Sequence, residues 1–169
     1  MTTPNFKVTP AVYASKEKRF INFIVDYAIQ LVLAFIIGMA IALLAELTGS
    51  YSLYEWFIES DSRLSDYIFG IIILLIYYII IESITSRSIG KYLTKTKVVL
   101  EDGSEPGVKD VILRSLCRII PFEVFSFLGE TGRGWHDSIS DTYVVDIVKF
   151  EAKRTTNSEI DLIGKSEEI

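Results

Sequence analysis

The chain has 169 residues, half of them apolar, and a mean hydropathy of +0.35 that a soluble enzyme seldom reaches. With 17 basic against 22 acidic residues the net charge is -5, which argues against a nucleic-acid partner. One cysteine excludes an internal disulfide, and one histidine beside it leaves too few ligands for a tetrahedral zinc site, so what remains is a small membrane protein.

The first long apolar stretch, residues 20–45, is interrupted only by Asn22, Asp26 and Gln30. As a helix it reaches about 39 Å, against a hydrocarbon core of about 30 Å. It is too long for the core of a secretory signal, and mostly polar residues precede it, so a retained anchor is expected. The second stretch, residues 67–85, carries eleven Ile, Leu or Phe residues within 67–81. On an insertion scale those side chains offer on the order of -5 kcal/mol towards spanning.

Lys16, Lys18 and Arg19 precede the first span and Arg87, Lys91, Lys95 and Lys97 follow the second, whereas residues 46–66 carry only Arg63. The positive-inside rule then puts both termini in the cytoplasm. Tyr51, Tyr54, Trp56 and Phe57 of the connecting loop suit the opposite headgroup region as anchors.

Residues 95–100 alternate, Glu101-Asp102-Gly103 reads as a turn, and residues 141–150 have a similar composition. The two segments are expected to pair as a short cytoplasmic ribbon. Between them, residues 107–128 hold Arg114, Arg118 and Glu123, with Pro121 in the later part. Asp110, Arg114 and Arg118 recur at four-residue spacing, opposite Val108, Val111, Ile112, Leu116, Ile119 and Ile120, the pattern of an amphipathic helix lying in the interface or docked on the bundle. A dip of residues 122–128 into the bilayer after the proline is the other option. From residue 151 onward the chain is polar and aperiodic, and a disordered cytoplasmic tail is expected. The expected fold is therefore all-α and integral to the membrane: a segment 1–14, a membrane domain 15–150 with two spans, an interfacial helix and a two-stranded ribbon, and a tail 151–169.

Arg19, Asn22, Asp26 and Gln30 are spaced three, four and four, which keeps them on one helix face. With hydrocarbon beginning near Phe20, Asp26 lies roughly 9 Å inside it. A carboxylate there needs protein or water around it and a partner. Arg114 or Arg118 is expected to pair with Asp26, and Arg19 with Asp137. Glu82 is expected at the interface, reaching headgroups or water.

Five elements together, RFINFIVD at residues 19–26, Gly90-Lys91, VVLEDG at 98–103, LRSLCRIIP at 113–121 and WHDSISDTYVV at 135–145, resemble the RDD family of bacterial membrane proteins. That family is named for one arginine and two aspartates, which Arg19, Asp26 and Asp137 match. Asp141 departs from the small or uncharged residue more usual there. The resemblance implies a bacterial cytoplasmic (inner) membrane and two spans, with transport suggested and monovalent cation and proton exchange attributed to some members.

The candidate ion, proton or ion-pair cluster is therefore Arg19, Asp26, Arg114, Arg118 and Asp137, with Asn22, Gln30, Glu82, His136 and Asp141 as further polar positions. His136-Asp137 lacks the additional histidines of a metal-dependent phosphohydrolase. Cys117 reads as a reduced, inert thiol. No nucleophile elbow, phosphate loop or dinucleotide fingerprint occurs, so no enzyme activity, metal or cofactor is expected. Two spans cannot enclose a pathway, and Gly38, Ala40, Ala42 and Ala45 offer close helix approach. The chain is thus expected to act in the lipid bilayer as a homo-oligomer or beside a larger membrane protein, as a transport module for a small ion or as a non-transporting assembly subunit.

Overall fold

The computed structural model describes residues 6–59, 62–129 and 132–166. It is mostly helical, with one two-stranded sheet. Helix α1 (Lys16–Thr48) begins at Ser15, whose hydroxyl accepts the Lys18 N–H, and ends at Gly49, which takes the left-handed conformation that lacks a Cβ penalty. The short turn α2 (Ser52–Tyr54) and a wider turn at Glu55–Glu59 lead to α3 (Arg63–Thr85). Helices α1 and α3 are long and apolar enough to cross a membrane, and only 6% and 22% of their most apolar windows are buried. A core helix of a soluble protein would hide that surface.

Beyond α3 the chain folds back through α4 (Ile89–Thr94) into β1 (Thr96–Leu100), which pairs antiparallel with β2 (Thr142–Asp146), Thr96 opposite Asp146 and Leu100 opposite Thr142. Tyr13 adds a single bridge to Val145. Val8, Val12, Val99, Val145 and Phe150 form a small core on one face of this ribbon, while Thr96, Val98, Thr142 and Val144 are buried from the other.

Two expectations are corrected at the C-terminal side. The second strand stops at Asp146, because its carboxylate accepts the Val148 and Lys149 N–H groups (3.0 and 3.3 Å) and starts α7 (Ile147–Ser166). The segment expected as a disordered tail is therefore helical as far as Ser166. Phe150 anchors its first turn in the ribbon core, and Lys153 ties it to the Thr9 hydroxyl (2.7 Å).

The helix expected over 107–128 ends sooner. Helix α5 covers Val108–Cys117; Pro121 then contributes no N–H, Phe122 turns left-handed (φ 65°), and a 3-10 turn follows over Glu123–Leu128. Its orientation is inside-out for a soluble protein: Arg114 and Ser115 are fully buried, while Val108, Ile112, Leu113 and Leu116 are exposed. The segment runs along α3, where the Tyr67 hydroxyl donates to the Ile119 carbonyl (3.4 Å), and returns along α1, where Lys16 Nζ donates to the Leu128 carbonyl (3.0 Å). Helix α6 (Trp135–Ile139) leads from this return into β2.

Candidate functional site

Asp26 is 1% exposed, and its oxygens are filled by neutral donors. Oδ1 accepts from the Tyr77 hydroxyl (2.6 Å) and the Gly90 N–H (2.8 Å); Oδ2 accepts from the Ser88 hydroxyl (2.5 Å) and the Tyr78 hydroxyl (3.3 Å). Among the described residues no ion pair forms at Asp26, which corrects the expected pairing with Arg114 or Arg118. Four donors satisfy an ionised carboxylate, and both arginines are engaged elsewhere. Lys91 is linked to Asp26 through Ser88, whose oxygen lies 3.3 Å from Lys91 Nζ.

The fold delivers these donors through one close approach. Ser88 caps α4, accepting the Lys91 N–H (3.4 Å) while donating to Asp26. Gly90 lies so near α1 that a Cβ would sit 2.5 Å from the Asn22 carbonyl oxygen. The Asn22 amide bridges the Thr94 and Thr96 hydroxyls; with its nitrogen towards Thr94 (2.5 Å) it also donates to the Gly90 and Lys18 carbonyls. One turn of α1 thus fastens both ends of α4.

A second network surrounds Glu82, which is 1% exposed. Lys91 Nζ lies 2.6 Å from Oε1, Arg118 Nη2 3.4 Å from the same oxygen, and Arg114 Nε 3.5 Å from Oε2. Glu82 is therefore not an interfacial residue as expected: α4 folds back over it and α5 brings two guanidinium groups to it. Burial disfavours the charged form of Lys91 and lowers its pKa, although Glu82 works in the other direction.

Arg114 joins this network to a third. Its Nη1 reaches Asp137 Oδ1 at 2.7 Å and bonds the Thr142 hydroxyl, and Arg19 pairs with Asp137 Oδ2. Asp137 is fully buried and also accepts the Gly134 N–H (3.0 Å). Burial on its own would raise its carboxyl pKa, but Arg19, His136 and Arg114 hold it well below the ordinary carboxylate range. His136 pairs through Nδ1 with Glu123, whose carboxylate also accepts the His136 N–H (3.2 Å).

The structure thus gathers Arg19, Arg114, Arg118, Asp137, Glu82 and His136 into connected ion pairs and sets Asp26 beside them. Gln30 is half-buried in a neighbouring groove, and Asp141 is an exposed left-handed turn residue (φ 49°) outside the cluster. Sequence reasoning passed over Lys91, Tyr77, Tyr78, Ser88 and Gly90 as site residues. The one signal available was Gly90-Lys91, quoted for the resemblance but given no role.

Two cavities meet at this site. A polar one of about 40 Å³ is bounded by Arg19, Asn22, Asp26, Lys91, Arg118, Glu123 and His136 among others, room for a water or a small ion. An apolar groove of about 520 Å³ lies between α1, α3 and residues 118–124. Phe23, Tyr78, Arg118, Glu123 and Val124 line both. At this seam the Arg118 guanidinium stacks 3.8 Å from the Tyr78 ring centre, and its Nε is buried without a hydrogen-bond acceptor among the described residues.

A model of the RDD family matches residues 13–141. The chain belongs to the RDD family. No curated protein and no solved structure matches it. In this RDD protein Arg19, Asp26 and Asp137, the residues matched to the family's name by resemblance, divide between two networks: Arg19 and Asp137 form an ion pair, and Asp26 binds hydroxyls and a backbone N–H.

Proposed function

We propose that this RDD protein is integral to the bacterial cytoplasmic membrane, spans it with α1 and α3, keeps both termini in the cytoplasm, and works as a module that moves a small monovalent cation or proton. The observation that supports ion handling is the polar cavity, which is bounded by the carboxylate residues Asp26 and Glu123 and by Lys91. Lys91 holds its proton less firmly than an exposed lysine and connects to Asp26 through Ser88. A group of that kind beside a carboxylate suits exchange of a proton for a cation. The groove that adjoins the cavity at Arg118 supplies an approach. Two spans do not surround a path, so the module works as a homo-oligomer or with a larger membrane protein.

The test is flux in proteoliposomes under a cation or pH gradient. Flux by the wild type, abolished in Asp26→Asn at a temperature where the variant is still folded, inserted and of unchanged oligomer size, supports the reading. A second reading, a non-transporting assembly subunit, is favoured by the ion pairs that engage Glu82, Glu123 and Asp137 and by the four donors that fill Asp26, which suit a lock that holds helices together. Absence of flux under every gradient, with a fixed partner identified by mass spectrometry of the complex in mild detergent, would select it.

A further inference from the structure

Resting on the membrane reading above, we infer that residues 108–128 form a re-entrant hairpin: it enters from the cytoplasmic side, turns near the bilayer midplane at Ile120, Pro121 and Phe122, and returns to the same side with its outward face against lipid acyl chains. The contacts along the two spans set its depth. Residues 119–122 share the groove with Gln30, Leu31 and Ala34 of α1 and with α3 from Tyr67, near its outer end, to Leu74 at its middle. By helical rise Gln30 is about 21 Å from Lys16 and about 15 Å past Phe20, half of a hydrocarbon core of about 30 Å. The return limb descends beside Arg19, whose guanidinium lies 5.4 Å from the Phe127 ring centre, and ends where Lys16 Nζ meets the Leu128 carbonyl.

Non-helical backbone at that depth must satisfy its own polar groups or be covered by protein. The Ile119, Ile120, Glu123 and Phe125 N–H groups bond to the Leu116, Cys117, Ile120 and Phe122 carbonyls at 3.0 to 3.1 Å, Pro121 has no N–H, and the Tyr67 hydroxyl serves the Ile119 carbonyl. The side chains sort in the same sense. Arg114, Arg118 and Glu123 turn inward to Glu82, Tyr78 and His136, whereas Leu116, Ile120, Phe122 and Phe125 face outward, Phe122 79% exposed. This surface is continuous with the apolar outer faces of α1 and α3 across the shared groove, so the occupant that fits it is the hydrocarbon of the cytoplasmic leaflet.

The chain contains two tryptophans, Trp56 and Trp135, so the full-length protein with Trp56→Phe and Trp135→Phe accepts a single reporter. Phe122→Trp, Phe125→Trp and, on α1, Phe35→Trp are each placed in phospholipid vesicles holding nitroxide lipids labelled either near the headgroup or at mid-chain, with aqueous iodide as a third quencher. The expected result is that the reporter at 122 loses more emission to the mid-chain label than to the shallow one and none to iodide, with the reporter at 125 less deep. Quenching at both hairpin positions by iodide, or more by the shallow label, overturns the inference; deep quenching at 35 in the same experiment leaves the membrane reading standing. If the reporter at 35 is also reached by iodide and by neither lipid label, both fall.

Discussion

The backbone N–H of Gly90 donates to Asp26 across 2.8 Å, and the same residue lies against the Asn22 carbonyl with no space for a side chain. The first span and α4 are therefore in backbone contact at the level of the buried carboxylate. Gly90→Ala should push α4 away and cost about 1–3 kcal/mol, as overpacking of a close contact does. A thermal melt followed by labelling of Cys117, the lone thiol and a buried one, should show the loss as an earlier midpoint.

Asp26→Asn replaces one acceptor oxygen by a donor that must face Ser88 and Tyr78 or Tyr77 and Gly90. Each donor left without an acceptor should cost roughly 1–3 kcal/mol. Ser88→Ala, which removes one donor and loosens the α4 cap, should cost less in the same melt.

Glu82 and Lys91 make an asymmetric pair. Removing the carboxylate in Glu82→Gln leaves Lys91, Arg114 and Arg118 buried and facing one another, and about 3–5 kcal/mol is the expected loss. Lys91→Met leaves Glu82 with two guanidinium partners and should be milder. A reversed order of melting midpoints would contradict the three-cation arrangement.

Acid sensitivity follows from Asp137. Its folded pKa is depressed below the ordinary 3.8, so its stabilising contribution is present above pH 3.8 and disappears as pH falls through the lower folded value. Titration from neutrality should leave Cys117 protected until below pH 3.8, where Asp137 protonates and Arg19 and Arg114 lose their counter-charge. Asp137→Asn should expose the thiol already at neutral pH.

The long apolar runs made α1 and α3 legible, and β-branched composition with a turn signal at Glu101-Asp102-Gly103 did the same for the ribbon, because these signals are local. The ligands of Asp26 were not legible: tyrosine hydroxyls on α3 and a serine hydroxyl and glycine N–H from the α4 turn have no charge pattern, and the last two reach the carboxylate only because the chain folds back after α3. Glu82 read as an interfacial side chain because nothing near it in sequence shows that α5 returns to cover it. The spacing of Arg114 and Arg118 identified a charged face and an inward turn for it, but not that its partners are Glu82 and Asp137 in place of Asp26. Helix α7 was missed because its hold on the domain comes from Phe150 and Lys153 and not from its own periodicity.

The ion pair between Arg19 and Asp137 joins residues 118 positions apart. At a synthesis rate of about 5–20 residues per second, the guanidinium is made several seconds before its carboxylate partner exists. The leading helix thus spends that interval with Arg19 uncompensated, and Asp26 waits likewise for Ser88 and Gly90. Closure of the charge cluster therefore waits for α6, so a chain truncated before it would carry the full apolar anchor with Arg19 lacking its carboxylate partner.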